Sequence, residues 1–114
     1  MPRLEANFAS RDTSLAAEKL GKAVRMARLA RNMTRVDFAE RARLSAPTLD
    51  RIERGDVAVR MGSWLLALQV CNLLHQLDKV SDPNADILGQ QQRELSIRKR
   101  ASGTRKKAQD DYEF

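Results

Sequence analysis

Hydrophobic positions in this chain of 114 residues recur at helical intervals from Ser14 onward and lose their period toward the carboxyl end. Residues 1–13 carry no sustained period and read as a flexible arm. Leu20, Val24, Ala27 and Ala30 then fall at i, i+4, i+7 and i+10, one apolar stripe along a helix, with Lys22, Arg25, Arg28 and Arg31 on much of the remaining surface. Asn32 tolerates the left-handed conformation that ends helices and marks the stop. Thr34 reads as the N-cap of a second helix, with Asp37 at N3 and Met33 and Phe38 spaced as a hydrophobic staple. Ser45 caps a third helix whose first turn holds Pro47, whose buried edge is Leu49 and Ile52, and which Gly55 ends.

A loop, Asp56–Gly62, leads to a fourth helix capped by Ser63, with Trp64, Leu65, Leu68 and Cys71 toward the core and Asn72 at its close. Leu73–Val80 reads as a fifth short helix, and Ser81–Asp86 is turn chemistry. The predicted fold is all-α: a five-helix domain over residues 14–80, an extension over 81–97, and a charged tail over 98–114 that is disordered when alone.

The second and third helices sit back to back within residues 34–55, each opened by a hydroxyl residue and joined by a tight turn. That is the layout of a helix-turn-helix, whose second helix enters the major groove of DNA. In that geometry Ser45, Ala46, Pro47, Thr48 and Arg51 face the base edges. Arg51 is the first choice for direct readout, because a guanidinium bonds O6 and N7 of guanine together. Ala46 and Pro47 offer apolar contact to a thymine methyl, and Ser45 and Thr48 a bond to phosphate or a base edge. Asp50 would repel phosphate and reads as a local ion-pair partner. Arg35, Arg43, Arg54 and Arg60, with the free N–H groups opening the two helices, are the expected phosphate contacts.

Charge agrees with this reading. There are 21 Lys and Arg against 15 Asp and Glu, a formal net charge of +6, which attracts polyanions but also suits other acidic partners. The single cysteine, Cys71, excludes an intramolecular disulfide and reads as a small core residue; with no apolar run long enough to span a bilayer and no signal-like start, a cytoplasmic protein that does not enter the membrane is expected. The only histidine, His75, has no companions at metal-ligand spacing, and no nucleophile–base pair or phosphate loop is present. Neither an enzyme, a metal site nor a cofactor is expected.

Three blocks of residues carry a family resemblance: Leu20-x3-Val24-x3-Arg28, Met33-Thr34-x3-Phe38-Ala39, and Leu44-Ser45-x2-Thr48-Leu49-x2-Ile52-Glu53-x-Gly55. Over roughly residues 18–80 they resemble the Xre/Cro, or lambda-repressor-like, helix-turn-helix family. The resemblance implies a structural ion pair between Arg28 and Glu53, joining the first and third helices. The chain departs from the family pattern at Arg43, where a turn glycine is usual, and at Arg35, where glutamine is usual.

One recognition helix covers too few base pairs for a genome, so a homodimer on a palindromic operator is expected, with half-sites roughly 34 Å apart. The surplus of leucine after Trp64 supplies a candidate contact at Leu73, Leu74 and Leu77. The block Leu73–Val80 with Asp82–Gly89 resembles the downstream region of HipB-type antitoxins. That resemblance implies a HipA-like kinase toxin as partner in a toxin-antitoxin system, and a strand from Ile87, Leu88, Leu95 and Ile97 paired across the dimer. The functional expectation is a DNA-binding transcriptional repressor, acting as such an antitoxin or as a stand-alone phage-type repressor; the alternative is a basic protein-interaction module. The basic run from Arg98 to Lys107 reads as a solvated tail, a second DNA clamp or a docking peptide.

Overall fold

A computed structural model describes residues 9–112, with side chains over 9–103. The chain divides into two compact units, Met1–Gln76 and Leu77–Phe114. The boundary falls four residues before the expected end of the domain at residue 80.

The first unit opens with α1 (Arg11–Ala30), which starts earlier than the apolar period suggests. Ser10 caps it: its hydroxyl accepts from Thr13 N at 3.1 Å, and Asp12 in the first turn favours the positive end of the helix dipole. Residues 11–13 of the expected arm are therefore helical, and residues 1–8 lie outside the described residues. The buried line of α1 is Gly21, Val24 and Arg28; Leu20 and Ala27 are half-buried and Ala30 is exposed, so the stripe is rotated from the expected one.

Helix α2 (Arg35–Ala42) is capped by Thr34, and α3 (Ala46–Glu53) by Ser45. Each hydroxyl accepts from the N–H three residues on, at 3.1 and 3.2 Å. Helix α4 (Met61–Val70) begins two residues before its expected cap. Arg60 precedes it without a side-chain cap, and Ser63 lies inside the helix.

All four helices end in the same way. At Asn32, Arg43, Gly55 and Asn72 the backbone turns left-handed, with φ of 51, 57, 77 and 59°. In each case two consecutive N–H groups reach back to helix carbonyls; after α2 these are Arg43 N to Glu40 O and Leu44 N to Ala39 O. Arg43 adopts the glycine conformation without being glycine.

The core of this unit is Val24, Phe38, Ala39, Ala42, Leu49, Ile52, Val59, Ala67, Leu68 and Cys71. Helix α3 packs against α1, α2 and α4, and α2 also meets α4. Trp64 and Leu65, expected in the core, are only half-buried, while Ala67 on the same helix is fully buried. Burial pushes the Cys71 thiol above its usual pKa, in keeping with an unreactive core residue.

In place of a single fifth helix over 73–80, a 3-10 turn (Leu74–Leu77) runs directly into α5 (Asp78–Ser81). In the second unit, Asp82 caps a further 3-10 turn (Pro83–Ala85), and Asp86 Oδ1 accepts from Gly89 N at 3.0 Å at the start of α6 (Ile87–Tyr112). Two expectations are overturned here. Ile87, Leu88, Leu95 and Ile97 lie on a helix instead of a strand, all four exposed, and residues 98–112 continue that helix where disorder was expected. The i→i+4 pattern is closed by the backbone alone, and no proline or asparagine breaks it between 87 and 112. Among the described residues no helix is long and apolar enough to cross a membrane.

Candidate nucleic-acid interface

The segment α2–turn–α3 presents one edge of α3 outward because its opposite edge is committed to the core. Leu49 and Ile52 are fully buried, while Ser45, Pro47 and Arg51 are exposed and Ala46 and Thr48 half-buried. The five expected base-reading residues thus lie at the leading end and outer edge of one helix. The hydroxyls of Ser45 and Thr48 sit 2.7 Å apart, each able to donate to the other. Pro47 has no N–H to offer, so the opening turn presents fewer donors than a proline-free one.

Arg28 and Glu53 fix the angle at which α3 is held. Arg28 Nε donates to Glu53 Oε2 at 2.7 Å and Nη2 to Oε1 at 3.0 Å, both side chains buried. The third donor, Nη1, reaches Met33 O at 2.9 Å, so the same guanidinium holds the link between α1 and α2. The carboxylate raises the Arg28 pKa further, chiefly through this hydrogen bond.

The surface arginines are less free than composition suggests. Arg51 Nε donates to Asp56 Oδ2 at 2.9 Å, and Asp56 Oδ1 in turn accepts from Ala58 N at 2.9 Å. Arg35 Nε lies 3.4 Å from Glu53 Oε1 and 3.8 Å from Asp50 Oδ1. Asp50 also pairs with Arg54, whose hydrogen bond holds the Asp50 carboxyl below its usual pKa and raises that of Arg54. Arg43 and Arg60 make no ion pair with any described residue. Water screens exposed pairs of this kind, so a phosphate or a base can displace them.

Two depressions take in four of the expected site residues. Thr48, Arg51 and Arg60 line one depression of about 380 Å³ together with Ala58, Val59 and Ser63. Arg43 lies on a separate groove with Arg41, Leu66, Gln69 and Val70. Sequence reasoning missed Asp56 and Ser63. Asp56 directly after the turn glycine is an Asx-turn signal that could have been read; Ser63 was taken for a cap. The expected dimer residues Leu73 and Leu77 are half-buried, and Leu74 is exposed.

Comparison with known proteins gives one family. The family described as "Helix-turn-helix domain" matches residues 19–78, more than half of the chain and all of α2, α3 and α4. No curated protein and no solved structure matches. A helix-turn-helix with an outward recognition helix is a DNA-binding element. On the matched span and the geometry of α2 and α3, the chain belongs to the helix-turn-helix domain family.

Proposed function

We propose that the protein is a sequence-specific transcriptional regulator that binds operator DNA as a twofold dimer and represses by occluding the promoter it overlaps. The observation that carries this reading is the outward edge of α3, with Ser45, Pro47 and Arg51 exposed in front of a buried Leu49 and Ile52. In this reading Arg51 exchanges Asp56 for a guanine edge, Ala46 and Pro47 meet a thymine methyl, and Ser45 and Thr48 bond a base edge or phosphate. Arg35, Arg43, Arg54 and Arg60, with the N–H groups opening α2 and α3, hold the phosphates on either side. Leu73, Leu74 and Leu77 supply the dimer contact that brings two recognition helices to half-sites roughly 34 Å apart.

The antitoxin role is implied by the resemblance of Leu73–Val80 and Asp82–Gly89 to HipB-type antitoxins, which also implies a strand from Ile87, Leu88, Leu95 and Ile97. Those residues are helical, so the proposal is for a regulator that acts on DNA by itself.

The experiment is selection of bound duplexes from a random pool, followed by binding of two variants to the selected sequence. Arg51→Ala should relax preference at one base position and cost about 1–3 kcal/mol, whereas Arg35→Ala should weaken all sequences alike. A pool from which no sequence is enriched would sink the reading. Equal behaviour of the two variants would sink the division between readout and positioning.

A further inference from the structure

Helix α6 is the strongest charged feature that the helix-turn-helix leaves unused. Residues 98–107 hold Arg98, Lys99, Arg100, Arg105, Lys106 and Lys107 with no Asp or Glu among them. They lie on one continuous helix, and every described residue from 91 to 103 is exposed. The two basic triplets repeat at a spacing of seven, so each cation of the second triplet takes the register position two turns beyond its counterpart. Within a triplet, neighbouring positions are rotated by about 100°. The basic positions therefore fall at three registers around the helix instead of one.

That distribution selects the partner. A flat acidic protein surface meets one side of a helix and leaves the other cations solvated. A membrane surface requires an apolar face opposite the charges, and the positions between the triplets are Ala101, Ser102, Gly103 and Thr104. A duplex groove offers phosphate ridges on both flanks of a helix. With its side chains a helix is about 10–12 Å across, a good match for a major groove about 12 Å wide.

A second observation points the same way. Across α2, α3 and the loop after them, residues 34–60 carry six Arg against five Asp or Glu, and Arg35, Arg51 and Arg54 are already paired with carboxylates. The reading head is nearly neutral, so the sequence-independent attraction to phosphate draws on cations outside it as well.

We propose that residues 98–107 of α6 form a second duplex-DNA-binding element, which holds phosphates without base preference and supplies most of the protein's non-specific affinity. The inference rests on the DNA-binding reading above and adds to it a separate surface with a separate function.

The test measures binding of the full chain to a random-sequence 30-base-pair duplex by fluorescence anisotropy over a range of salt. Replacing the six cations together by Gln should reduce the slope of log K against log salt by roughly 3–5, since each phosphate contact contributes about 0.9. Affinity for the random duplex at low salt should fall more than tenfold. A charge-preserving variant, Arg98→Lys with Arg100→Lys and Arg105→Lys, should keep the wild-type slope, which separates charge from folding. An unchanged slope in the Gln variant overturns the proposal, including the case where the segment instead serves an acidic protein. The two readings fail separately: enrichment from the random pool and relaxed preference in Arg51→Ala test α3, while the random-duplex slope tests α6 alone.

Discussion

Arg28 on α1 and Glu53 at the end of α3 are joined by two parallel hydrogen bonds of 2.7 and 3.0 Å, both side chains out of solvent. Breaking such a pair strands a buried charge, at a cost of about 3–5 kcal/mol, whereas replacing both partners by apolar residues can be nearly neutral. Arg28→Met and Glu53→Leu should each lower the urea midpoint strongly, and the double substitution should recover much of the loss. Arg28→Met leaving stability intact while reducing the salt slope of DNA binding would make Arg28 a phosphate contact instead of a structural one.

Gly21 and Gly62 give opposite expectations for the same substitution. A Cβ at Gly21 would overlap Ile52 O and lie 2.9 Å from Gly55 N, whereas one at Gly62 meets nothing within 4 Å. Gly21→Ala should therefore cost about 2–3 kcal/mol despite its better helix propensity, because backbone cannot yield as a side chain does. Gly62→Ala should stabilise by about 0.5 kcal/mol. Thermal unfolding of the two variants settles both, and a neutral Gly21→Ala would mean that α1 and α3 are farther apart than described.

Arg43 holds φ at 57° and ψ at 39° without glycine. Glycine there relieves the strain but gives the unfolded chain more freedom, so Arg43→Gly should stabilise by a net of about 0.5–1 kcal/mol. The same variant should weaken DNA binding through loss of a cation. Arg43→Val, β-branched in a left-handed site, should destabilise instead. Denaturation and anisotropy on the same preparations separate the two effects.

Asp50 predicts a pH dependence. Its carboxyl is held below the usual 3.8, first by the hydrogen bond from Arg54 and then by the charges of Arg54 and Arg35. Folding depresses this pKa, so the contribution is complete above 3.8 and disappears as pH falls through the lower folded value. An NMR titration of Asp50 should show its inflection below 3.8 in wild type and nearer 3.8 in Arg54→Ala. Asp50→Asn should also tighten binding to any duplex several-fold, because it removes an anion beside the phosphates and frees Arg54, while Arg35 keeps Glu53. Unchanged or weaker binding would mean that Asp50 positions those arginines rather than restraining them.

Most of the first unit was legible because its signals are local. Thr34, Ser45, Asn32, Gly55 and Asn72 mark helix boundaries by capping chemistry alone, and each acts at the expected position. Ser10 was missed because the apolar period begins only after the cap, and Ser63 was read as a cap because α4 has none. Leu49 and Ile52 followed from spacing, but Trp64 and Leu65 did not, since burial on α4 depends on which neighbours approach it. The pairings of Arg51 with Asp56 and of Asp50 with Arg35 depend on side-chain placement between elements, which spacing does not encode, whereas Asp50 with Arg54 is an i,i+4 pair that the local ion-pair reading anticipated. The helix over 98–112 was hidden by its charge: composition argues for disorder while individual propensities of Arg, Lys, Ala and Gln favour helix.

The close approach of Gly21 to Ile52 O and Gly55 N, main chain against main chain, has a mechanical consequence. No side chain lies between α1 and the end of α3 there to act as a bearing, so α3 cannot rock without carrying α1 along. Adaptation to different base sequences is left to torsions of Arg51 and its neighbours and to the bending of the DNA. The scaffold behaves as a stiff handle, and discrimination between operators becomes a matter of side-chain rotamers and duplex deformability.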